Sequence, residues 1–369
     1  TFHRLSCVAC AGTEANSSGQ RAMDGVAWQA SVHRAGLPAE AFTVPNRQRS
    51  TSTLSAPSAR KPASSRRQVA GLLGSLLGTV VKCKARAETR KRVLVTGANS
   101  GIGLATAIQL ASQGWQVLPL CRSLDRAREA TEEIADLVPD AAIDAVDAFC
   151  DLADLQSVGS CLETLRSKGL KFDALVFNAG IDGAPLQKTA QGHELHFAVN
   201  HLGHFALWTG LKGWVNDTVR VVSVTSSAAL DADLDLEDLA WERRSYGRHE
   251  AYATSKACNI LFTDELARRF HESGSFASAN TIDPGPTATQ IVRYTLPERA
   301  LQRRDMDPLQ LEKQARMLGL KTPAQAARGI VWLTDSSEAS KLPDGQWWSG
   351  PSTLFAAPEL PWRTESVAR

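Results

Sequence analysis

The stretch Arg92-Val-Leu-Val-Thr-Gly-Ala-Asn-Ser-Gly-Ile-Gly103 predicts a buried strand that turns directly into a helix. Glycines at such a turn let backbone N–H groups approach a pyrophosphate, and the N-terminus of the following helix adds a positive potential. A glycine cluster alone is a weak signal, but this one follows a strand and begins a strand–helix–strand unit. We therefore predict a dinucleotide-binding loop that contains Gly97, Asn99, Ser100, Gly101, Ile102 and Gly103.

Apolar runs alternate with helical patterns from residue 91 to residue 282. This alternation is typical of parallel strands joined by crossover helices. We predict an α/β fold over residues 89–358, with a single Rossmann-type, doubly wound parallel sheet of about seven strands and helices on both faces. The third strand is predicted over residues 146–150, and residues 359–369 are predicted to form a C-terminal tail.

The first 88 residues differ in composition from the rest of the chain. Residues 1–90 carry 13 Lys and Arg against 4 Asp and Glu, whereas the remaining residues carry 28 against 35. Residues 45–68 contain no acid and are rich in Ser, Arg and Pro, which predicts a disordered extension. Arg66-Arg67, an apolar run at 69–81 and Ala85-Arg-Ala87 together resemble a targeting segment. We expect a plastid address, stromal or thylakoid, with mitochondrial and cytoplasmic locations as alternatives.

The composition of the chain excludes several other classes of protein. A hydrophobic content of 43% and a charged content of 22% are typical of a globular protein. The body has no basic stripe with interleaved aromatic residues, so we expect no nucleic-acid binding. Cys7-Val-Ala-Cys10 lacks the second pair that would complete a zinc site. We expect no metal, and a helical group of histidines is interpreted as packing residues: His196, His201 and His204.

The end of the second predicted strand indicates which dinucleotide binds. NAD sites usually have an acidic residue there, which accepts a hydrogen bond from the ribose 2′-hydroxyl. This chain has Arg122 instead, and a guanidinium can hold a 2′-phosphate through two hydrogen bonds. We therefore predict NADP(H) as the cofactor; the alternative for Arg122 is a cap at the sheet edge. Asp151 and Leu152 follow the third predicted strand and are expected at the adenine, with a helix cap as the alternative for Asp151.

Tyr252 and Lys256 are the candidates for acid–base chemistry. They are four residues apart, which places both on one face of a helix. Because a neighbouring ammonium favours a phenolate, Lys256 is expected to lower the pKa of Tyr252. Tyr246 has a glutamate rather than a lysine four residues later, and we interpret it as a surface residue.

Three motifs in this order resemble the short-chain dehydrogenase/reductase family over about residues 91–355. They are the glycine motif at 96–103, Asn178-Ala-Gly180 and Tyr252-Ala-Thr-Ser-Lys256. Val199-Asn-His-Leu-Gly-His-Phe205 further resembles the retinol-dehydrogenase-like branch of that family. The resemblance implies a dinucleotide-dependent oxidoreductase that acts on a small carbonyl or alcohol substrate. It also implies a homodimer formed through the long helix that carries Tyr252.

The resemblance also implies individual roles for the residues that match its motifs. Thr225 and Ser227 remain alternatives to Ser226 as the carbonyl-orienting hydroxyl. The implied roles are acid/base for Tyr252, ribose binding for Lys256, orientation of the carbonyl for Ser226, a proton relay for Asn200, positions beside the cofactor for Asn178, Ala179 and Gly180, and the nicotinamide side for Pro284, Gly285 and Thr289.

The substrate is less well defined by the sequence than the cofactor. The segment from about 290 to 321 is charged at one end and apolar at the other, which favours a lipophilic substrate. A peripheral association with a membrane is a separate expectation. Two other functions remain open. One is a light-dependent protochlorophyllide reductase, whose relatives share the Tyr252–Lys256 pair and a plastid-like head. The other is an NADPH-sensing component at the plastid import machinery.

Overall fold

The predicted α/β architecture is present as one eight-stranded sheet. The structure is a computed structural model that describes residues 90–144, 146–289, 291, 313, 317–360 and 362–363. The strands are β1 (Arg92–Thr96), β2 (Gln116–Leu120), β3 (Ala142–Ile143), β4 (Phe172–Phe177), β5 (Val215–Val224), β6 (Ser278–Ile282), β7 (Trp347–Gly350) and β8 (Thr353–Leu354).

The order of the strands across the sheet is β3-β2-β1-β4-β5-β6-β7-β8. All neighbouring pairs are parallel except β7 and β8, which are antiparallel. The direction of winding reverses at β1, because β2 lies on one side of it and β4 on the other. Doubly wound sheets bind ligands outside the carboxyl ends of their strands at such a point, and the glycine-rich turn after β1 lies there.

Helices connect the strands and cover both faces of the sheet. The long helix that carries Tyr252 and Lys256 is buried along most of its length, from Ala251 to Ala267. The helices are α1 (Gly101–Ser112), α2 (Leu124–Leu137), α3 (Leu155–Ser167), α4 (Leu195–Phe197), a π-helical segment (Ala198–Leu202), α5 (Gly203–Leu211), a 3-10 segment (Ser227–Asp231), α6 (Arg248–Glu272), α7 (Pro323–Asp335) and a second 3-10 segment (Ala339–Lys341).

Side chains of β1 alternate between two apolar cores. Leu94 packs into a core that includes residues of α3, α5 and α6, whereas Val93 and Val95 pack into a core that includes residues of α1, α2 and α7. Successive side chains of a strand point to opposite faces, so a strand covered by helices on both sides is apolar at every position. This is why the central strands appear in the sequence as continuous apolar runs.

The third strand lies earlier than predicted. The structure has β3 at Ala142–Ile143, while residues 146–150 run beside the sheet without strand pairing of their own. Cys150 still donates its backbone N–H to the Cys121 carbonyl at 2.7 Å. The apolar pattern at 146–150 therefore reflects burial against the sheet edge rather than membership of a strand.

Several sequence predictions concern residues outside the described ranges. The targeting head, its disorder and the Cys7–Cys10 pair all lie within residues 1–89. Most of the amphipathic segment at 290–321 lies outside as well, apart from residues 291, 313 and 317–321. Among the residues that are described, no helix has both the length and the apolar character needed to span a membrane.

The described part of the C-terminal segment packs on α6. Leu360 belongs to a buried cluster with Ala257 and Ile260 of that helix. The guanidinium of Arg363 donates to both carboxylate oxygens of Asp264, at 2.8 and 3.0 Å. These contacts attach the beginning of the predicted tail to the helix that carries Tyr252.

Two helical glycines should respond to alanine in opposite directions. Gly159 in α3 has no atom within 4 Å of an added Cβ, so Gly159→Ala should stabilise the protein by about 0.5–1 kcal/mol through the higher helix propensity of alanine. An added Cβ at Gly210 in α5 would overlap the Leu162 side chain, and Gly210→Ala should destabilise by about 1–3 kcal/mol. Urea denaturation of both variants measures the difference, and equal effects would contradict this packing of α3 on α5.

Candidate active site

A cleft of about 1320 Å³ opens at the carboxyl ends of the strands. It brings together residues that are far apart in the sequence, from the turn after β1 to the segment after β6. Of the predicted site residues, only Gly101 and Asn200 do not line it. Those that do are Gly97, Asn99, Ser100, Ile102, Gly103, Arg122, Asp151, Leu152, Asn178, Ala179, Gly180, Ser226, Tyr252, Lys256, Pro284, Gly285 and Thr289.

The turn after β1 has the geometry of an anion-binding loop. Gly97 and Gly101 have positive φ angles of 67° and 56°, which side chains other than glycine rarely adopt. A Cβ at Gly103 would overlap the Gly97 carbonyl group and the Asn178 amide. Ser100 caps α1 without a side-chain hydrogen bond, and the first turn of α1 contains no acid. The N-terminus of α1 therefore points uncapped backbone N–H groups at the cleft, as a phosphate site requires.

Asn178 joins the ends of β1 and β4 beside this loop. Its amide Nδ2 donates to the Thr96 carbonyl at 2.9 Å, and its backbone N–H donates to the Thr96 hydroxyl at 2.9 Å. The backbone N–H of Ala179 reaches the same hydroxyl at 3.0 Å. These bonds hold the two strand ends together next to the glycine turn. The position of Asn178 beside the cofactor stays a prediction.

Two guanidinium groups lie at the end of the cleft next to β2. Arg122 follows β2, and Arg126 lies four residues later on α2, so both line the same region. Within the described ranges neither side chain forms an ion pair or a hydrogen bond. Asp151 lines the cleft too. One oxygen of its carboxylate accepts the backbone N–H of Ala153 at 3.0 Å, and this hydrogen bond belongs to a local turn.

Tyr252 is a buried residue of the cleft lining. Burial raises its pKa above the ordinary value, the carboxylates of Asp182 and Asp283 act in the same direction, and a hydrogen bond with Ser226 opposes the shift. The contact identifies Ser226, rather than Thr225 or Ser227, as the hydroxyl next to Tyr252. Thr225 instead donates to the Lys256 carbonyl at 2.9 Å.

The predicted lowering of the Tyr252 pKa by Lys256 is absent from this arrangement. The Lys256 ammonium lies 5.7 Å from the centre of the Tyr252 ring and donates to the Val224 carbonyl at 3.0 Å. Burial also lowers the pKa of Lys256 to about 8, although the carboxylates of Asp283 and Asp182 oppose this. The free energy needed to bury the Tyr252 phenolate therefore exceeds its attraction to the Lys256 ammonium, which donates its hydrogen bond to the backbone instead. The pKa of Tyr252 is raised as a result.

Asn200 lies behind the cleft wall rather than in it. Its side chain accepts the backbone N–H of Ile181 at 2.8 Å and donates to the Ile181 carbonyl at 3.0 Å and to Ser255 Oγ at 2.9 Å. A Cβ at Gly180 would lie 3.3 Å from Asn200 Oδ1 and 3.5 Å from Lys256 Nζ, so glycine permits their close approach. A proton relay through Asn200 stays a prediction.

The segment after β6 is ordered by Asp283, a residue that the sequence analysis did not select. Its carboxylate accepts the backbone N–H of Ser227 at 2.8 Å and that of Gly285 at 2.7 Å. It thereby connects the segment that follows β5, after Ser226, to Pro284 and Gly285, which follow the neighbouring strand β6. Thr289 lies close to Gly101, at the entrance to α1.

Other residues of the cleft were also missed. Arg126 could have been recognised, because it lies one helical turn after Arg122. Asp182 and Asp283 carried no recognisable signal, since their effect depends on a position next to Tyr252 that only folding creates. No cluster of three or more His, Cys, Asp or Glu side chains within the described ranges is arranged to bind a metal ion.

The fold and the arrangement of this cleft are those of a nicotinamide-dependent oxidoreductase. A sequence model of the short chain dehydrogenase family matches residues 91–300. The chain belongs to the short-chain dehydrogenase/reductase family, in its retinol-dehydrogenase-like branch. It is 32% identical to human retinol dehydrogenase 13 over 282 residues, which cover 76% of this chain and 81% of that protein. It is 34% identical to human retinol dehydrogenase 14, covering 67% of this chain and 75% of that protein.

A solved structure shares the fold. L-sorbose reductase from Gluconobacter frateurii, in complex with NADPH and L-sorbose, superimposes with a TM-score of 0.54 over 73% of this chain and 98% of that chain. Its sequence identity of 19% supports the fold alone. The residues of the cleft also fit a dinucleotide. The cleft is lined by the uncapped N-terminus of α1, by a glycine turn that has no room for a side chain at Gly103, and by two guanidinium groups.

Proposed function

We propose that this protein is an NADP(H)-dependent oxidoreductase that interconverts a carbonyl and an alcohol on a lipophilic small molecule. Its main support is the convergence in one cleft of the Tyr252–Ser226 contact, the Lys256 ammonium and a phosphate-type turn at the N-terminus of α1. A bound nicotinamide would supply the hydride in reduction and accept it in oxidation. The side chains of the cleft would bind the substrate, orient it and transfer the proton.

Tyr252 is suited to donate a proton in the direction of carbonyl reduction. Because its pKa is raised, the phenol keeps its proton at neutral pH and can give it to the carbonyl oxygen of the substrate. Ser226 Oγ accepts the backbone N–H of Ala228 at 3.2 Å, which holds the hydroxyl beside Tyr252. When a substrate binds, this hydroxyl would turn its hydrogen from Tyr252 to the same substrate oxygen. With a pKa of about 8, Lys256 is mainly an ammonium at neutral pH and would stabilise the phenolate that forms.

Arg122 and Arg126 should determine the preference for NADPH over NADH. We expect Arg122→Ala to weaken NADPH binding by about 10- to 100-fold, the range for losing hydrogen bonds to a charged group, and to leave NADH binding unchanged. Arg126→Ala should act in the same direction. Fluorescence titration of each variant with both dinucleotides measures the effect.

Arg128→Ala is the matched control for these two substitutions. Arg128 lies on α2, as Arg126 does, but it is exposed, pairs with Asp147 at 3.3 Å and does not line the cleft. It should bind NADPH as the wild type does. Equal losses of NADPH and NADH affinity in Arg122→Ala would contradict recognition of a 2′-phosphate.

A lipophilic substrate is supported by the described apolar lining of the cleft and by the relatives named for retinol. Six apolar residues are part of the cleft lining: Ile181, Leu195, Val199, Leu230, Pro286 and Leu320. The full chain should consume NADPH with retinal or with long-chain aldehydes faster than with short polar ones. NADPH binding without consumption of NADPH with any carbonyl compound would contradict the proposed function.

A further inference from the structure

A buried cluster of Glu194, His196 and Tyr246 lies beside the cleft and has no part in the steps above. Glu194 and His196 are 1% and 0% exposed. The Glu194 carboxylate accepts hydrogen bonds from the N–H of Phe197 at 2.7 Å, from His196 Nδ1 at 2.8 Å and from the Tyr246 hydroxyl at 2.9 Å. Burial opposes its ionisation, but the hydrogen bonds from His196 and Phe197 prevail and hold the pKa of Glu194 below the ordinary value.

The proton on His196 can be assigned from its neighbours. Nε2 accepts the backbone N–H of Ala184 at 3.1 Å, so the proton of the neutral ring is on Nδ1 and is donated to Glu194. Both ring nitrogens are therefore occupied. Although the ring lies edge-on to that of Tyr252 with centres 6.3 Å apart, His196 has no free nitrogen to act as a base in the cleft.

The cluster holds residues 181–184, which follow the Asn178-Ala-Gly180 motif. In addition to the His196 bond, the Tyr246 hydroxyl shares its hydrogen between Glu194 and the Ala184 carbonyl, which accepts at 3.2 Å. Arg248 donates to the Gly183 carbonyl at 3.3 Å. Asn200 fixes Ile181 at the other end of the segment. Ile181 and Asp182 between these anchors line the cleft next to Tyr252.

Tyr246 is itself held in place by the loop before α6. Its ring packs against Trp241 with centres 5.3 Å apart, and Trp241 has a positive φ of 55°. The Asp238 carboxylate accepts the backbone N–H groups of Glu242 and Arg243 at 2.7 and 3.2 Å, which fixes this loop. A strained backbone at a residue other than glycine persists only where its surroundings hold it. Tyr246 is thus a partly buried anchor and not the surface residue that the sequence suggested.

We propose that Glu194, His196 and Tyr246 are positioning residues that fix segment 181–184 as the wall of the cleft against which the carbonyl substrate binds. Glu194 supplies a fixed negative charge that accepts the Nδ1–H of His196, and His196 Nε2 in turn accepts the backbone N–H of Ala184. Tyr246 connects the loop before α6 to this pair through its hydrogen bond to Glu194. The part of this inference that concerns substrate rests on the proposed function, whereas the part that concerns the segment does not.

Tyr246→Phe tests the network, because it removes the hydroxyl and keeps the ring on Trp241. Hydrogen–deuterium exchange of the full chain should accelerate about tenfold at the amides of Ile181 and Ala184, the equivalent of about one hydrogen bond, and stay unchanged at the turn of residues 97–103. Glu194→Gln should have a larger effect, since its amide group places a donor against the N–H of Phe197 or of His196.

Steady-state kinetics with the aldehyde that the wild type reduces fastest separates positioning from simple stability. A looser wall should raise KM several-fold in Tyr246→Phe, with a smaller change in kcat and an unchanged Kd for NADPH, because Tyr252, Lys256 and the glycine turn remain in place. A purely structural role would instead lower the thermal midpoint and the fraction of active protein, and leave KM unchanged.

Thr334→Val provides the control for the loss of a buried hydroxyl. Thr334 is fully buried in α7, where its hydroxyl donates to the Ile330 carbonyl at 2.7 Å, and it does not line the cleft. It should not alter exchange at 181–184. Unchanged exchange there in Tyr246→Phe and Glu194→Gln would overturn the proposal, as would faster exchange with a wild-type KM. A wild type that binds NADPH but reduces no aldehyde would refute the proposed function, and exchange would still decide whether the network holds the segment.

Discussion

Tyr252→Phe should lower kcat for carbonyl reduction by about 10²–10⁴-fold, the usual contribution of a positioned proton donor. The substitution removes only the hydroxyl that contacts Ser226 and leaves a ring of the same shape in a buried site. NADPH affinity should therefore remain that of the wild type. Stopped-flow measurement of NADPH oxidation under single-turnover conditions isolates the chemical step from product release.

The reverse reaction provides a second measurement on the same residue. Alcohol oxidation requires the phenolate, and burial with the nearby Asp182 carboxylate disfavours that form. Wild-type oxidation should therefore accelerate as the pH is raised, whereas the residual oxidation by Tyr252→Phe should lose this dependence. A variant that keeps more than about a tenth of the wild-type reduction rate would exclude Tyr252 as the proton donor.

Gly103→Ala should weaken NADPH binding by about 10- to 100-fold and also destabilise the domain, in line with about 1–3 kcal/mol for overpacking a tight site. Its added methyl group would overlap the Gly97 carbonyl and the Asn178 amide, which are parts of the turn itself and of the β1–β4 connection. Neither can move without displacing the backbone N–H groups that face the cleft. Fluorescence titration with NADPH and a thermal melt measure the two effects.

Gly213→Ala is the matched control for this substitution. Gly213 has nothing within 4 Å of an added Cβ, and its φ is not positive, so alanine should be tolerated there. Cofactor affinity should remain that of the wild type in this variant. Wild-type NADPH affinity in Gly103→Ala as well would mean that the cofactor does not use the turn after β1.

The sequence was sufficient for the α/β class, the doubly wound parallel sheet and the position of the glycine turn after β1. The buried strand, the glycines and the helix start after β1 follow from local rules of backbone geometry, since Gly97 and Gly101 need positive φ angles and α1 begins where the turn ends. The same holds for Tyr252 and Lys256, because a spacing of four residues on one helix fixes their common face. The relatives confirm the family that these motifs indicated.

Sequence patterns gave wrong predictions for two features that depend on burial and on contacts between distant residues. An apolar pattern at 146–150 predicted a strand, because periodicity records burial and cannot distinguish a paired strand from a chain covering the sheet edge. The pKa of Tyr252 was misjudged for a similar reason. Its spacing from Lys256 was correct, but desolvation and the Asp182 carboxylate, 70 residues away in sequence, outweigh the ammonium.

The sequence by itself determined the fold class, the dinucleotide turn and the tyrosine–lysine pair, since each depends on residues close together in the chain. Only the tertiary structure brought Glu194, His196 and Tyr246 together, placed Asp283 between Ser227 and Gly285, and set the protonation of Tyr252. These features depend on distances between separate elements and on the exclusion of water between them. Hydrogen bonds and charges gain their full strength only in that low-dielectric interior.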